Sequence, residues 1–240
     1  MTMKKSSFQE INESKDPYIV VLAGGKSERW TASLPSNIDL PHDKLDAVVD
    51  NETILERNIR LFKESINWDI YVFSPYVRTT DIQLHSFFWD SFEDGACPSK
   101  LHAVQSFLER SKRPVLFYFG DVVATIAAMK YIVEYSSKCH NNKIVIFGKS
   151  GPNRFTGTMW PEVYALYAPS NKHKTLFDAC KSQYEDPVMT RKDFNPLYDL
   201  LEREYPSSAV RIDIGDQTDD VDSYLDYIRI RSVFEIKHNE

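Results

Sequence analysis

The chain has 240 residues, a net charge of −6 at neutral pH, 42% hydrophobic side chains and 27% charged ones. That length and balance suit a single α/β domain with a substantial core. The acidic balance argues against a nucleic-acid partner, and no apolar run approaches the ~20 residues of a membrane helix. Met1 to Asp16 is polar and lacks the apolar segment of a signal peptide, so residues 1–17 are expected to form a flexible tail before one domain over 18–240. Cys97, Cys139 and Cys180 are scattered, odd in number and without metal-ligand spacing, and the six histidines likewise show no ligand spacing. Free thiols in a reducing cytoplasm fit that pattern.

In chain order, Tyr18 to Ala23 is an apolar run of strand length that ends in Gly24-Gly25. Residues 24–43, with Pro35 and Pro41, read as a long loop. Thr53 and Glu56 fit a capping box, and Leu55, Ile59, Phe62 and Ile66 recur at helical spacing. Asp69–Ser74 reads as a strand, Asp81–Phe88 as helical, and Pro98 opens a helix with Leu101, Val104 and Leu108 on one face. Pro114–Phe119 has the unbroken apolar character of a buried parallel strand. Ile126, Met129 and Val133 line the next helix. Lys143–Phe147, Val163–Ala168 and Ala209–Ile214 read as strands, and Lys174–Gln183, Pro196–Glu204 and Tyr224–Ile230 as helices. Strands alternating with helices predict a mostly parallel sheet covered on both faces.

The chemistry starts at Leu22, Ala23, Gly24, Gly25, Lys26, Ser27, Glu28 and Arg29. A strand of this kind delivers its C-terminal end to a ligand crevice. Glycines allow close backbone approach, backbone N–H groups bind anions, and Lys26 and Arg29 supply charge for phosphate. The string is neither a dinucleotide fingerprint nor a P-loop. It resembles the Leu-Ala-Ala/Gly-Gly-x-Gly/Ser-x-Arg-Met loop of nucleotidyltransferases with a GT-A-like, nucleotide-diphospho-sugar transferase fold. Trp30 stands where that loop has methionine. Gly24 and Ser27 are closest to the molybdenum-cofactor guanylyltransferase branch, beside the sugar-phosphate pyrophosphorylases and cytidylyltransferases. The resemblance implies a three-layer, Rossmann-like α/β/α domain with a mostly parallel mixed sheet.

It also implies roles for particular residues. Arg29 would contact the departing phosphates. Lys44, in a segment from Asp43 to Arg57 similar to the family's second block, would offset charge at the α-phosphate; its separation from Arg29 is longer than is usual there. Gly120 and Asp121 follow a buried strand at the sheet's C-terminal edge, where a carboxylate can hold Mg²⁺ together with substrate phosphates. Thr218 to Tyr227 resembles the acidic segment that closes many of these enzymes, and period-two spacing puts Asp220 and Asp222 on one side. Ser223 or Asp222 could instead cap a helix, and Gly120-Asp121 could be a turn. Gly95 to Ser99 occupies the place of the base-contacting loop, or simply begins a helix. Lys149, Arg154, Glu162 and Lys192 are candidates for the acceptor side.

The implied reaction is Mg²⁺-dependent transfer of a nucleoside monophosphate from a nucleoside triphosphate to a phosphorylated small-molecule acceptor, with release of pyrophosphate. A homodimer is left open. A pterin-directed guanylyltransferase, a nucleotide-sugar-dependent glycosyltransferase and a catalytically degenerate nucleotide-binding module remain as alternatives. The only Asp-x-Asp string is Asp220 to Asp222, which lies late for a glycosyltransferase.

Overall fold

A computed structural model describes residues 16–24, 27–74, 85–87, 100–138, 142–185 and 194–235. Gly25, Lys26, Gly95, Cys97, Ser99, Cys139 and Lys192 lie outside them. The first strand, β1 (Tyr18–Leu22), is buried along its whole length, as its unbroken apolar run requires. It pairs in parallel with β4 (Asp69–Phe73) on one side and β6 (Val115–Phe119) on the other. β5 (His85–Phe87) extends the sheet beyond β4. On the far side come β9 (Glu162–Ala168), β8 (Ile144–Lys149) and β10 (Ala209–Asp213), giving seven strands in the order β10-β8-β9-β6-β1-β4-β5. β9 pairs antiparallel with both neighbours, and the remaining strands all run one way. This is the mostly parallel mixed sheet expected from the alternation of elements.

Two short ribbons complete the strands: β2 (Val48–Val49) with β3 (Glu52–Thr53), and β7 (Val122–Val123) with β11 (Asp219–Asp220). Asp50 and Asn51, at φ 57° and 66°, close the first ribbon; paired left-handed residues are what a tight hairpin turn demands. The helices are α1 (Glu28–Ser33), α2 (Ile54–Ser65), α3 (Lys100–Arg110), α4 (Ile126–Lys138), α5 (His173–Glu185), α6 (Phe194–Glu204) and α7 (Tyr224–Glu235). α2 begins with the expected capping box between Thr53 and Glu56.

The chain passes from β1 to β4 and β5, then returns to the opposite side of β1 for β6. Such a reversal of strand order opens a crevice at the C-terminal ends of the strands. Ala23-Gly24 lines one lip of this crevice and Gly120-Asp121 the other. The lips touch: the Gly120 amide donates to the Leu22 carbonyl at 3.1 Å, and a Cβ on Gly120 would stand 3.2 Å from Ala23 Cα.

Four expectations need correction. The 24–43 segment is not all loop, because α1 lies inside it. Trp30 is fully buried in a second core with Ala47, Val49, Ile54, Val123, Val221, Tyr227 and Ile230. Its indole donates to the Pro41 carbonyl at 2.9 Å, and its ring meets Tyr227 edge-on at 5.7 Å. Residues 85–87 are strand rather than helix, held by pairing with β4. Ile126 is 53% exposed, and α4 buries Ala128, Met129, Ile132 and Val133 instead. Asp16 and Pro17 are fixed, since the buried Arg113 guanidinium donates to both carbonyls.

Candidate active site

Lys44 belongs to a 3-10 turn, Lys44–Asp46, whose start is capped by Asp43 Oδ1 accepting from the Leu45 amide at 2.9 Å. Leu45 is buried, which anchors the turn and sends Lys44 toward the crevice. There Lys44 Nζ lies 2.6 Å from Asp121 Oδ2 and 3.1 Å from Asp222 Oδ1. Arg29, at the start of α1, forms an ion pair with Asp222 Oδ2. Four residues singled out in the sequence therefore converge, although Lys44 and Asp222 are 178 positions apart.

Asp121 is 6% exposed. Burial pushes its carboxyl up, but Lys100 and Lys44 together outweigh this and hold it well below the usual carboxylate range. Burial likewise opposes the Lys44 charge, and Asp121 followed by Asp222 more than restores it, so its ammonium is held above the ordinary lysine value. α2 braces this lip: Asn58 Nδ2 donates to the Gly120 and Val122 carbonyls at 3.1 and 2.8 Å, and Arg57 donates to the Ala124 carbonyl at 2.6 Å.

The acidic C-terminal segment is fixed by the β7–β11 pairing and by the Val221 amide donating to the Asp121 carbonyl at 2.9 Å. Asp220 and Asp222 face the same way, as alternation predicts. Oxygens of Glu162, Asp220 and Asp222 all lie within 4.8 Å of one another. Burial and crowding act together on these groups. Burial, then Asp222, raises the Glu162 carboxyl to about 7, and burial, then Glu162, raises Asp220 well above its ordinary value. Asp222 does not cap α7; Ser223 does, exchanging hydrogen bonds with Asp226.

Glu162 owes its place to Gly148. At a bulge between β8 and β9, a Cβ on Gly148 would fall 2.0 Å from the Glu162 carbonyl oxygen, so only glycine lets the strands approach. Lys149 turns its ammonium inward to Asp219 Oδ1 at 2.8 Å, and that pair is almost fully buried. Thr156 and Thr158 hydroxyls complete the coordination of Asp219. Arg154 is exposed, with its guanidinium 4.8 Å from the Phe155 ring centre. It helps line a pocket of about 330 Å³ between residues 149–155 and 213–216, beside the carboxylates rather than among them. Of the cradle, Leu22 ends β1 and Ala23 follows it, both buried, Ser27 takes a left-handed φ of 49° before α1, and Glu28 is exposed.

Two residues were missed by sequence reasoning. Lys100 Nζ lies 3.3 and 3.2 Å from the two oxygens of Asp121. Nothing local in the sequence marks it, because its partner stands 21 positions further along the chain. Asp219 was passed over for its neighbours, although alternation puts it on the opposite side from Asp220, where Lys149 waits.

No protein-family model matches the chain, and no curated protein matches it. Solved structures do. A nucleotidyl transferase from Methanothermobacter thermautotrophicus superposes with a TM-score of 0.65 at 15% identity, covering 93% of this chain and 100% of that one. A CMP:2-keto-3-deoxy-manno-octonic acid synthetase complexed with CTP gives 0.61 at 9% identity, covering 92% and 99%. The CTP:phosphocholine cytidylyltransferase of Streptococcus pneumoniae gives 0.57 at 11% identity, covering 91% and 99%. At such identities the likeness speaks for architecture, and the chain has the Rossmann-like fold of the nucleotide-diphospho-sugar transferase type that these nucleotidyltransferases share.

Proposed function

We propose that the chain is a Mg²⁺-dependent nucleotidyltransferase that joins a nucleoside monophosphate to a phosphorylated small-molecule acceptor. The observation that carries this reading is the convergence of Arg29, Lys44, Asp121 and Asp222 at the sheet's switch point, on a fold shared with nucleotidyltransferases. A phosphate oxygen of the acceptor attacks the α-phosphorus of the triphosphate. The bond from that phosphorus to the β-phosphate oxygen breaks, and pyrophosphate leaves. Transfer of this kind needs little covalent chemistry from the protein, so alignment and charge dominate.

Gly24 and Ser27, on either side of Gly25-Lys26 in the sequence, cradle the triphosphate through backbone N–H groups. Arg29 forks onto the departing phosphates, and Lys44 offsets the charge that builds at the reacting phosphate. Mg²⁺ favours oxygen ligands, commonly one or two carboxylates plus substrate phosphates. The crowded Glu162, Asp220 and Asp222 carboxylates, two of them with raised pKa, fit a group that needs positive charge. With Asp121 they are the residues that would hold the ion, which supplies charge neutralisation on phosphate oxygens. The open pocket by Arg154 leaves room for the acceptor's body.

A thermal-shift panel of ATP, CTP, GTP and UTP, with and without Mg²⁺, tests the reading on the wild type and on Asp121→Asn. A triphosphate at 100-fold over its dissociation constant adds ~2.7 kcal/mol, about 5–10 °C for a chain this size. The expected result is a shift with one triphosphate that needs both Mg²⁺ and Asp121, then pyrophosphate release when phosphorylated sugars or alcohols are added. No shift with any of the four sinks the proposal.

A further inference from the structure

Every carboxylate oxygen of Asp121 and Asp222 faces a cation. Lys44 bridges the two residues, Arg29 takes the other oxygen of Asp222, and Lys100 reaches both oxygens of Asp121 at 3.2 and 3.3 Å. Lys100 belongs to α3, described over Lys100–Arg110. Its Nζ also lies 4.8 Å from the centre of the Phe119 ring, a further attraction for a cation. Its side chain is 36% exposed against 13% for Lys44, so solutes reach Lys100 more readily of the two cations on Asp121.

This arrangement sets terms for what can bind. A divalent cation arriving alone meets ammonium groups already seated on Asp121. A triphosphate arriving alone brings several negative charges beside Asp121, Glu162, Asp220 and Asp222, where like charges repel. Metal and triphosphate together carry both signs. The carboxylates can then take the metal while the ammonium groups turn to phosphate oxygens, and no buried charge is left without a partner.

We propose that Lys100 is a triphosphate-binding residue held in reserve on Asp121, standing in with Lys44 for the divalent cation until metal and triphosphate enter together. The inference rests on the nucleotidyl-transfer reading above. It makes metal and triphosphate strongly cooperative ligands of this site, each binding poorly without the other.

The test uses the full chain and two titrations. Mn²⁺ alone is followed by its electron paramagnetic resonance signal. The Mg²⁺ complex of the triphosphate that stabilises the wild type is followed by calorimetry. In Lys100→Gln, Mn²⁺ alone binds about tenfold tighter because Asp121 has lost one of its two cations, and the Mg²⁺–triphosphate complex binds at least tenfold weaker. Lys100→Arg, which keeps the charge, stays near wild type in both. Unchanged Mn²⁺ affinity in Lys100→Gln overturns the inference, and so does unchanged affinity for the complex. A fall in both affinities together with a lower melting temperature also overturns it, assigning Lys100 a structural role. A wild type that binds no triphosphate at all overturns the nucleotidyl-transfer reading itself. That failure appears before any variant is made and is thus distinct from one confined to Lys100→Gln.

Discussion

Lys44 joins two carboxylates whose own residues lie far apart in the chain, and its removal separates two effects. Lys44→Met leaves Asp121 with Lys100 alone and takes a cation from the reacting phosphate. Loss of one preorganised charge of this kind costs about 100- to 1,000-fold in turnover, and pyrophosphate-release kinetics at saturating triphosphate will read it. The Lys149–Asp219 pair behaves differently, because it lies within the wall of the site. Asp219→Asn leaves a buried ammonium without its counter-charge, which costs about 3–5 kcal/mol and lowers the melting temperature by roughly 10 °C. Replacing both residues, as Lys149→Met with Asp219→Leu, recovers much of that loss in thermal melts if the penalty is electrostatic. At this scale Arg29, Lys44, Asp121, Asp220 and Asp222 were legible, since each stands next to a strand end or in a short ordered string. Lys100 and Asp219 were not, because what marks them is a partner 21 or 70 positions away.

The same division holds among elements. β1, β6 and β8 announce themselves as unbroken apolar runs because both faces are covered, and α2 as a capped, amphipathic repeat. α1 has no such pattern. Its six residues contribute one buried side chain, Trp30, and they hold as a helix because that indole is seated among Tyr227, Val221 and Val123. β5 depends on pairing with β4, which no local spacing encodes. Trp30→Ala should therefore cost about 3–5 kcal/mol, lower the melting temperature, and weaken triphosphate binding by releasing the adjacent Arg29. Trp30→Phe should lose less of both. If Trp30→Ala binds triphosphate as tightly as wild type, α1 does not position Arg29. The β8–β9 bulge makes a second element-scale prediction. Gly148→Ala forces a Cβ into the Glu162 carbonyl and is expected to destabilise by at least ~1–3 kcal/mol. Gly151→Ala, with no atom within 4 Å of the added carbon, is the control that should melt like wild type.

At the scale of the molecule, the reversal of strand order gathers acid groups whose titrations act on stability in opposite directions. Asp121 is held below its ordinary pKa by Lys100 and Lys44. In acid the unfolded chain therefore takes up this proton first, so the stabilisation is present near neutrality and is lost as pH falls through the carboxylate range. Glu162 is raised from 4.5 to about 7. Between those values the native chain holds a proton that the unfolded chain has released, so stability falls as pH rises across that window and stays reduced above it. Asp220 is shifted in the same direction. The ligand-free protein should thus be most stable on the acid side of neutrality, and a divalent cation should recover stability chiefly above about pH 7. Glu162→Gln isolates the contribution. Thermal melts should show the variant a few degrees above wild type at about pH 8, close to it at about pH 4, and gaining less from Mg²⁺. A variant that loses stability equally at both pH values would mean that Glu162 is held by its packing, and that crowding among the carboxylates places no strain on the folded chain.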